Sequence, residues 1–216
     1  MRPPNYLKKD YGGQVDKAAI YGLIGVVLGV FLTVVKEWWF QSRKNKKEAE
    51  YLSIHIICML DRYVAGCAEV VGDDGLFMGQ PDARGYSRIQ VALPKFQPDE
   101  VKVEWKSLPA SLMYEILAFP NKVEVANNRI DGAFEYSASP PDYDEGFEER
   151  QFQYAELGIQ AAALAEKLRK RAKLPAKSID EWDPVRYMSE ERQKIFAIRE
   201  DQAARNALML AELSLP

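Results

Sequence analysis

The eighteen residues from Ala18 to Val35, AAIYGLIGVVLGVFLTVV, contain no charged side chain. A helix rises about 1.5 Å per residue, so this run, with Trp38, Trp39 and Phe40 just beyond it, covers most of a hydrocarbon layer roughly 30 Å thick. A helix of a soluble protein is rarely apolar on every face for five turns. A cleaved signal peptide has a shorter apolar core and a small-x-small exit, whereas this run leaves through Lys36-Glu37-Trp38-Trp39-Phe40. Aromatic residues at that place suit a membrane-water interface. The expectation is a flexible polar tail over 1–16, an uncleaved transmembrane anchor over 17–40, and a soluble helical domain over 41–216.

Charge divides sharply along the chain. Residues 1–47 hold nine Lys and Arg against three Asp and Glu, and the remainder holds twenty against twenty-nine. An acidic soluble domain disfavours nucleic acid as a main partner, because phosphate contacts need a basic surface. About 180 residues after the anchor are enough for one domain with its own core. The two cysteines, Cys58 and Cys67, would lie about 13 Å apart along one helix, too far for a disulfide. Unpaired cysteines in a domain of this size fit a reducing compartment.

Orientation follows the Lys and Arg beside the span. Arg2, Lys8, Lys9 and Lys17 precede it; Lys36, Arg43, Lys44, Lys46 and Lys47 follow it in a denser cluster. Since a 16-residue tail is easily translocated, the soluble domain is expected in the cytoplasm, at the cell (inner) membrane. The five cations after the span would meet anionic headgroups, with membrane lipids as partners.

Within the span, Ala18, Gly22, Gly25, Gly29 and Thr33 put small side chains on one helical face and include a Gly-x-x-x-Gly pair. Such a face lets two helices approach closely, as a homodimer or against another protein's span.

From Lys36 to Val71 there is no proline and the only glycine is Gly66, so the anchor is expected to continue as a helix into the soluble domain. Its polar positions Glu48, His55, Arg62 and Glu69 recur every seven residues, a narrow wet stripe on an otherwise packed helix. Gly72-Asp73-Asp74-Gly75 ends it. A long connection to about Ser107 follows, in which Ile89, Val91, Leu93 and Val101, Val103, Trp105 alternate as a small hairpin would.

A second helix starts near Pro109, and Pro120 is expected to kink or restart it. Leu112, Ile116, Phe119, Val123, Ile130 and Phe134 share one face. A third follows Ser139-Pro140-Pro141-Asp142, acidic at its start and basic at its end, as the helix dipole favours. Pro175 stops it. A fourth begins with Asp183 as N-cap and Pro184 in its first turn. The fold class expected is all-α: one N-terminal transmembrane helix continuing into a four-helix bundle, with a long, partly irregular loop between its first and second helices.

Catalytic constellations are thin. The chain has one histidine, His55, on the wet stripe, and no Glu-x-x-His pair for a two-iron bundle site. Asp142-Tyr-Asp144-Glu-Gly146 has the start of a calcium loop but Gln153 at the twelfth position, so it reads as an acidic helix start. No metal or cofactor is expected. Asp61 has Ile54, Ile57, Cys58, Val64, Ala65 and Ala68 as its helical neighbours, and Asn127 sits between Val123, Ile130 and Phe134. A carboxylate among apolar neighbours must be paired or protonated. Asp61 and Asn127 read first as a core polar network fixing helix register, and second as a site. The residues favour a membrane-anchored protein-interaction or scaffold module over catalysis, since no nucleophile-base pair is present. The alternatives are a membrane-surface enzyme or lipid-binding protein with a site at Asp61 and Asn127, and an accessory subunit of a larger membrane complex.

Overall fold

The protein is described by a computed structural model over residues 17–101, 105–177 and 182–213. The expected tail at 1–16 and Val103 of the expected hairpin lie outside the described residues, as does the side chain of Ala18. The described chain is helical, with four long helices: α1 (Lys17–Val71), α2 (Ala110–Tyr136), α3 (Asp144–Ala172) and α4 (Pro184–Leu213). It divides into two compact units, Met1–Lys46 and Lys47–Pro216.

The first unit is the N-terminal part of α1. From Tyr21 to Lys46 every residue is exposed, including Leu23, Val27, Phe31 and Trp38. This stretch is long and apolar enough to cross a membrane, and none of its apolar window is buried.

The second unit holds the core. Leu52, Ile56, Leu60, Val64 and Cys67 of α1 pack with Ile116 and Phe119 of α2, Tyr154, Ala161, Leu164 and Leu168 of α3, and Met188 of α4. At roughly 1.5–3 kcal/mol for each large apolar side chain buried, this set is the main favourable term holding the helices together. Tyr63, Phe96 and Phe119 meet edge to face in a triangle with centroid separations of 5.6 to 6.0 Å, tying the long connection to α1 and α2. Gly158 sits where three helices converge. A Cβ there would run into Met188 of α4 and Cys67 of α1, so only glycine permits the approach.

Helix boundaries follow local chemistry. The Asp183 carboxylate accepts hydrogen bonds from the amides of Val185 and Arg186 at 2.9 and 3.3 Å, capping α4 as expected. Lys173, in the left-handed conformation, ends α3. Pro120 neither breaks nor restarts α2, which runs unbroken from Ala110 to Tyr136. Ile116 and Phe119, buried just before it, hold the turn that proline deprives of one hydrogen bond. His55, Arg62 and Glu69 are exposed along α1, but so are Tyr51, Ile54, Cys58 and Ala65. The exposed face is thus broader than a single stripe.

The expected hairpin is a correction, because the described residues contain no strand there. Ile89, Val91 and Leu93 lie in irregular chain, and Pro98–Glu100 and Trp105–Ser107 form short 3-10 turns. The reason is a competing acceptor. The amides of Gln90 and Val91 donate to Oδ2 of Asp73 at 3.0 and 2.9 Å, so they are unavailable to a strand partner.

Asp73 organises the whole connection. Arg150 of α3 donates to the same Oδ2 at 2.9 Å, and both side chains are 1% exposed. The other carboxylate oxygen accepts the Gly75 amide at 3.0 Å. Arg150 also donates to the Val91 carbonyl, and Gln151 to the Asp73 carbonyl at 3.0 Å. Gly75 has φ +80°, and a Cβ there would strike the Phe147 ring, so the turn after α1 needs glycine for both reasons.

Removing one partner of a buried ion pair leaves an uncompensated charge and costs about 3–5 kcal/mol. Asp73→Ala is therefore expected to lower unfolding free energy by about that much. The double change Asp73→Asn with Arg150→Met, which buries no charge, should lose distinctly less. Urea denaturation of both variants checks this, and a loss below about 1 kcal/mol for Asp73→Ala contradicts it.

Candidate functional site

Asp61 lies on α1 facing the end of α3. Its side chain is 30% exposed, more open than its apolar helical neighbours imply. Arg169 of α3, itself buried, donates from Nη2 to Oδ2 of Asp61 at 2.5 Å and from Nη1 to Glu166 at 3.1 Å. Lys177 Nζ stands 3.8 Å from Oδ1. The carboxylate is thus paired, and the pair joins α1 to α3 across 108 residues of sequence.

Asp61 and Arg169 line a cavity of about 510 Å³. Val64 and Ala65 of α1 and Ala162 of α3 form apolar walls, with Trp182 and Val185 closing the side toward α4. Its charged groups are already engaged: Arg169 with two carboxylates, Asp183 as the α4 cap, Lys177 against Asp61. Nothing in this arrangement supplies a nucleophile with a base beside it.

Asn127 belongs to different surroundings and does not line that cavity. Its side-chain oxygen accepts a hydrogen bond from the Tyr154 hydroxyl at 2.9 Å. Tyr154 is fully buried, and burial, helped by the nearby Cys67, pushes its hydroxyl up to about 12. Burial likewise drives Tyr63 and Cys67 above their ordinary values, so the Cys67 thiol stays protonated and unreactive. Cys58 and Cys67 are both free.

Other sequence candidates are placed as follows. Arg43 lies over the Trp39 ring at 3.7 Å and Lys36 lies 6.0 Å from the Phe40 ring, so cations and aromatics interleave after the apolar run. Gly22, Gly25 and Gly29 have open space where a Cβ would stand, and Thr33 bonds back to the Gly29 carbonyl at 2.9 Å. Lys44, Lys46 and Lys47 continue the helix on the basic side. His55 is exposed. Among the described residues no group of three His, Cys, Asp or Glu could hold a metal. Gln153 lies inside α3, and Asp144 has its carboxyl raised by burial and by Asp142, Glu145 and Glu148.

The sequence reading missed the Asp73–Arg150 pair. The signal at Arg150 was weaker than at Asp61: beside Gly146, Phe147, Tyr154 and Leu157 its helical neighbours include the polar Gln153. Comparison with known protein families, curated proteins and solved structures finds no match to this chain.

Two outcomes follow. Asp61→Asn should cost about 1.5–3 kcal/mol by weakening a charge-assisted bond to a buried guanidinium, while Lys177→Ala should cost under about 1 kcal/mol. Equal effects in denaturation experiments would contradict the geometry. For Tyr154, a folded value near 12 against an ordinary 10.0 means its stabilising contribution is whole below pH 10.0 and is lost as pH rises toward 12. Stability measured across that window should fall less steeply for Tyr154→Phe than for the parent.

Proposed function

We propose that this chain is a single-pass membrane protein whose helical domain, a four-helix bundle, is a protein-interaction or scaffold module at the cytoplasmic face of the cell (inner) membrane. The carrying observation is the exposure of every residue from Tyr21 to Phe40 along a helix with no charge between Lys17 and Lys36. Water-soluble monomers rarely leave apolar patches larger than a few hundred Å² uncovered, and a bilayer is the solvent that suits such a stretch.

Two further observations support this over a core helix or a cleaved leader. The apolar window is unburied, unlike a core helix. The helix also continues without interruption past Lys36-Glu37-Trp38-Trp39-Phe40, where a leader would end. The cations and aromatics there match an interfacial girdle. The cytoplasmic placement draws on the five cations after the span and on two free cysteines.

The interaction role draws on the tether itself, which would hold the second unit's exposed surface at one membrane face. The mechanism is co-localisation: the anchor sets where the bundle is, and the bundle presents the contact. The small-residue face at Gly22, Gly25 and Gly29 supports pairing of the span with a second copy or with another subunit.

The full chain should remain in the membrane fraction after alkaline carbonate extraction. A fragment beginning at Lys47, which keeps the entire core, should be folded and soluble yet inactive in cells that depend on the protein. Release of the full chain by carbonate, or full activity of the fragment, defeats the tethering reading.

A further inference from the structure

The chain leaves the core at Gly75 and returns to the same place at Arg88. The Arg88 amide donates to the Gly75 carbonyl at 2.8 Å, and the Ser87 amide to the Pro141 carbonyl at 3.0 Å. Gly75 and Ser87 are buried, and Gly75 is held by Asp73, so the foot of this loop is fixed to the core. A compact surface loop whose ends meet is frequently functional. Inside it two turns are locked. Phe77 and Gln80 exchange backbone hydrogen bonds at 2.9 and 3.1 Å around Met78 and Gly79. Asp82 accepts from the amides of Arg84 and Tyr86 at 2.8 and 2.9 Å, and from Arg88 Nε at 2.8 Å.

The first turn displays what a water-facing turn ordinarily avoids. Met78 has φ +52° and Gly79 φ +75°, the positive values that a tight two-residue turn needs at both central positions. Asparagine or aspartate before glycine meets that need at little cost, whereas a methionine side chain there crowds its own carbonyl. Met78 is also 88% exposed, and its neighbour Phe77 is 65% exposed. Burial therefore does not offset the strain. A strained residue held in a rigid setting, with no packing in the fold to account for it, points to a use outside the fold.

We infer that this loop is the contact surface of the second unit, and that it fits a protein partner with an apolar cleft and an acidic rim. The inference rests on the reading of the domain as an interaction module. Phe77 and Met78 enter the cleft, and Arg84 meets the rim. Arg84 is exposed and pairs with no acid among the described residues. It lies four residues beyond Gln80, within about 14 Å of the turn. A lipid surface fits less well. Residues 74–88 hold two acids and two bases, so anionic headgroups exert no net attraction. A pre-set turn gains affinity only against a surface with a shape of its own, and a fluid bilayer has none. A second copy of this chain also fits less well. Its cavity of about 600 Å³ between α2 and α3 is lined by Lys122 and Lys167, and the one acid there, Glu115, is held by Lys167.

The test puts photoreactive p-benzoylphenylalanine into the full chain in place of Phe77 or, as a second site, of Tyr114, which is 73% exposed on α2. Irradiation in native membranes is followed by mass spectrometry of the adducts. The expected result is one protein species attached at position 77. That protein, purified, should bind the full chain in nanodiscs. Met78→Asn should weaken this binding roughly a hundredfold, while Met78→Leu stays within about tenfold. Arg84→Gln should weaken it less and flatten its dependence on salt. Asparagine tolerates positive φ, so Met78→Asn should leave the urea midpoint unchanged or raise it. A lowered midpoint makes Met78 part of the fold and overturns the proposal. Binding of the identified protein that ignores Met78→Asn overturns it too, as does an adduct only with phospholipid, only with a second copy, or with nothing. Binding that ignores both Arg84→Gln and salt overturns the acidic rim. Protein adducts from position 114 alone put the contact elsewhere and leave the interaction reading standing. Protein adducts from neither site count against that reading as well.

Discussion

The buried contact between Asp73 and Arg150 is the constraint on which the second unit's architecture depends. A long connection between two helices has many ways to lie on a core, and most leave backbone amides unsatisfied. One carboxylate removes that freedom. It accepts from Gly75, Gln90, Val91 and Arg150, thereby closing the turn after α1, holding the returning chain and fastening both to α3. The pair joins residues 77 apart in sequence, so it ties the turn after α1 to α3. Arg150 makes two hydrogen bonds, to Asp73 and to the Val91 carbonyl, and retains one buried nitrogen, Nε, without a partner. Specificity more than raw stability is what such a pair contributes, since apolar replacements often do as well energetically.

This also explains where the sequence was legible and where it was not. Periodicity reports a helix's own face, so Leu112, Ile116, Phe119 and Ile130 were readable as the buried side of α2. Capping chemistry is equally local, and Asp183 with Pro184 announced α4. The hairpin expectation failed because alternation at Ile89, Val91 and Leu93 describes side chains, whereas the backbone amides there were claimed by a carboxylate sixteen residues upstream of Ile89. Asp73 looked like ordinary turn chemistry after Gly72, and nothing nearby pointed to Arg150. Asp61 was readable as needing a partner, because its neighbours on α1 are apolar. Its partial exposure was not, since that depends on how far α3 and α4 cover that flank.

The end of α3 shows one set of residues serving several physical demands. Cations there oppose the negative end of the helix dipole, which is worth a few tenths of a kcal/mol each and needs no partner. Arg169 alone turns inward, trading solvation for Asp61 and Glu166. Its neighbours one and two residues on must then point elsewhere, because successive side chains on a helix are about 100° apart. The outward display of Lys170 and Arg171 is a geometric consequence of burying Arg169. Lys173 adds to it by ending the helix in a left-handed turn.

The two units differ in where their apolar side chains go, exposed in the first and buried in the second, and this separates their energetics. Every large apolar side chain from Leu23 to Phe31 is exposed, so that stretch draws no stability from burial within the chain. The second unit buries its own core entirely within Lys47–Pro216. Changes at Gly22 or Gly25 should therefore leave the core untouched, while changes at Asp73 or Gly158 act on the core.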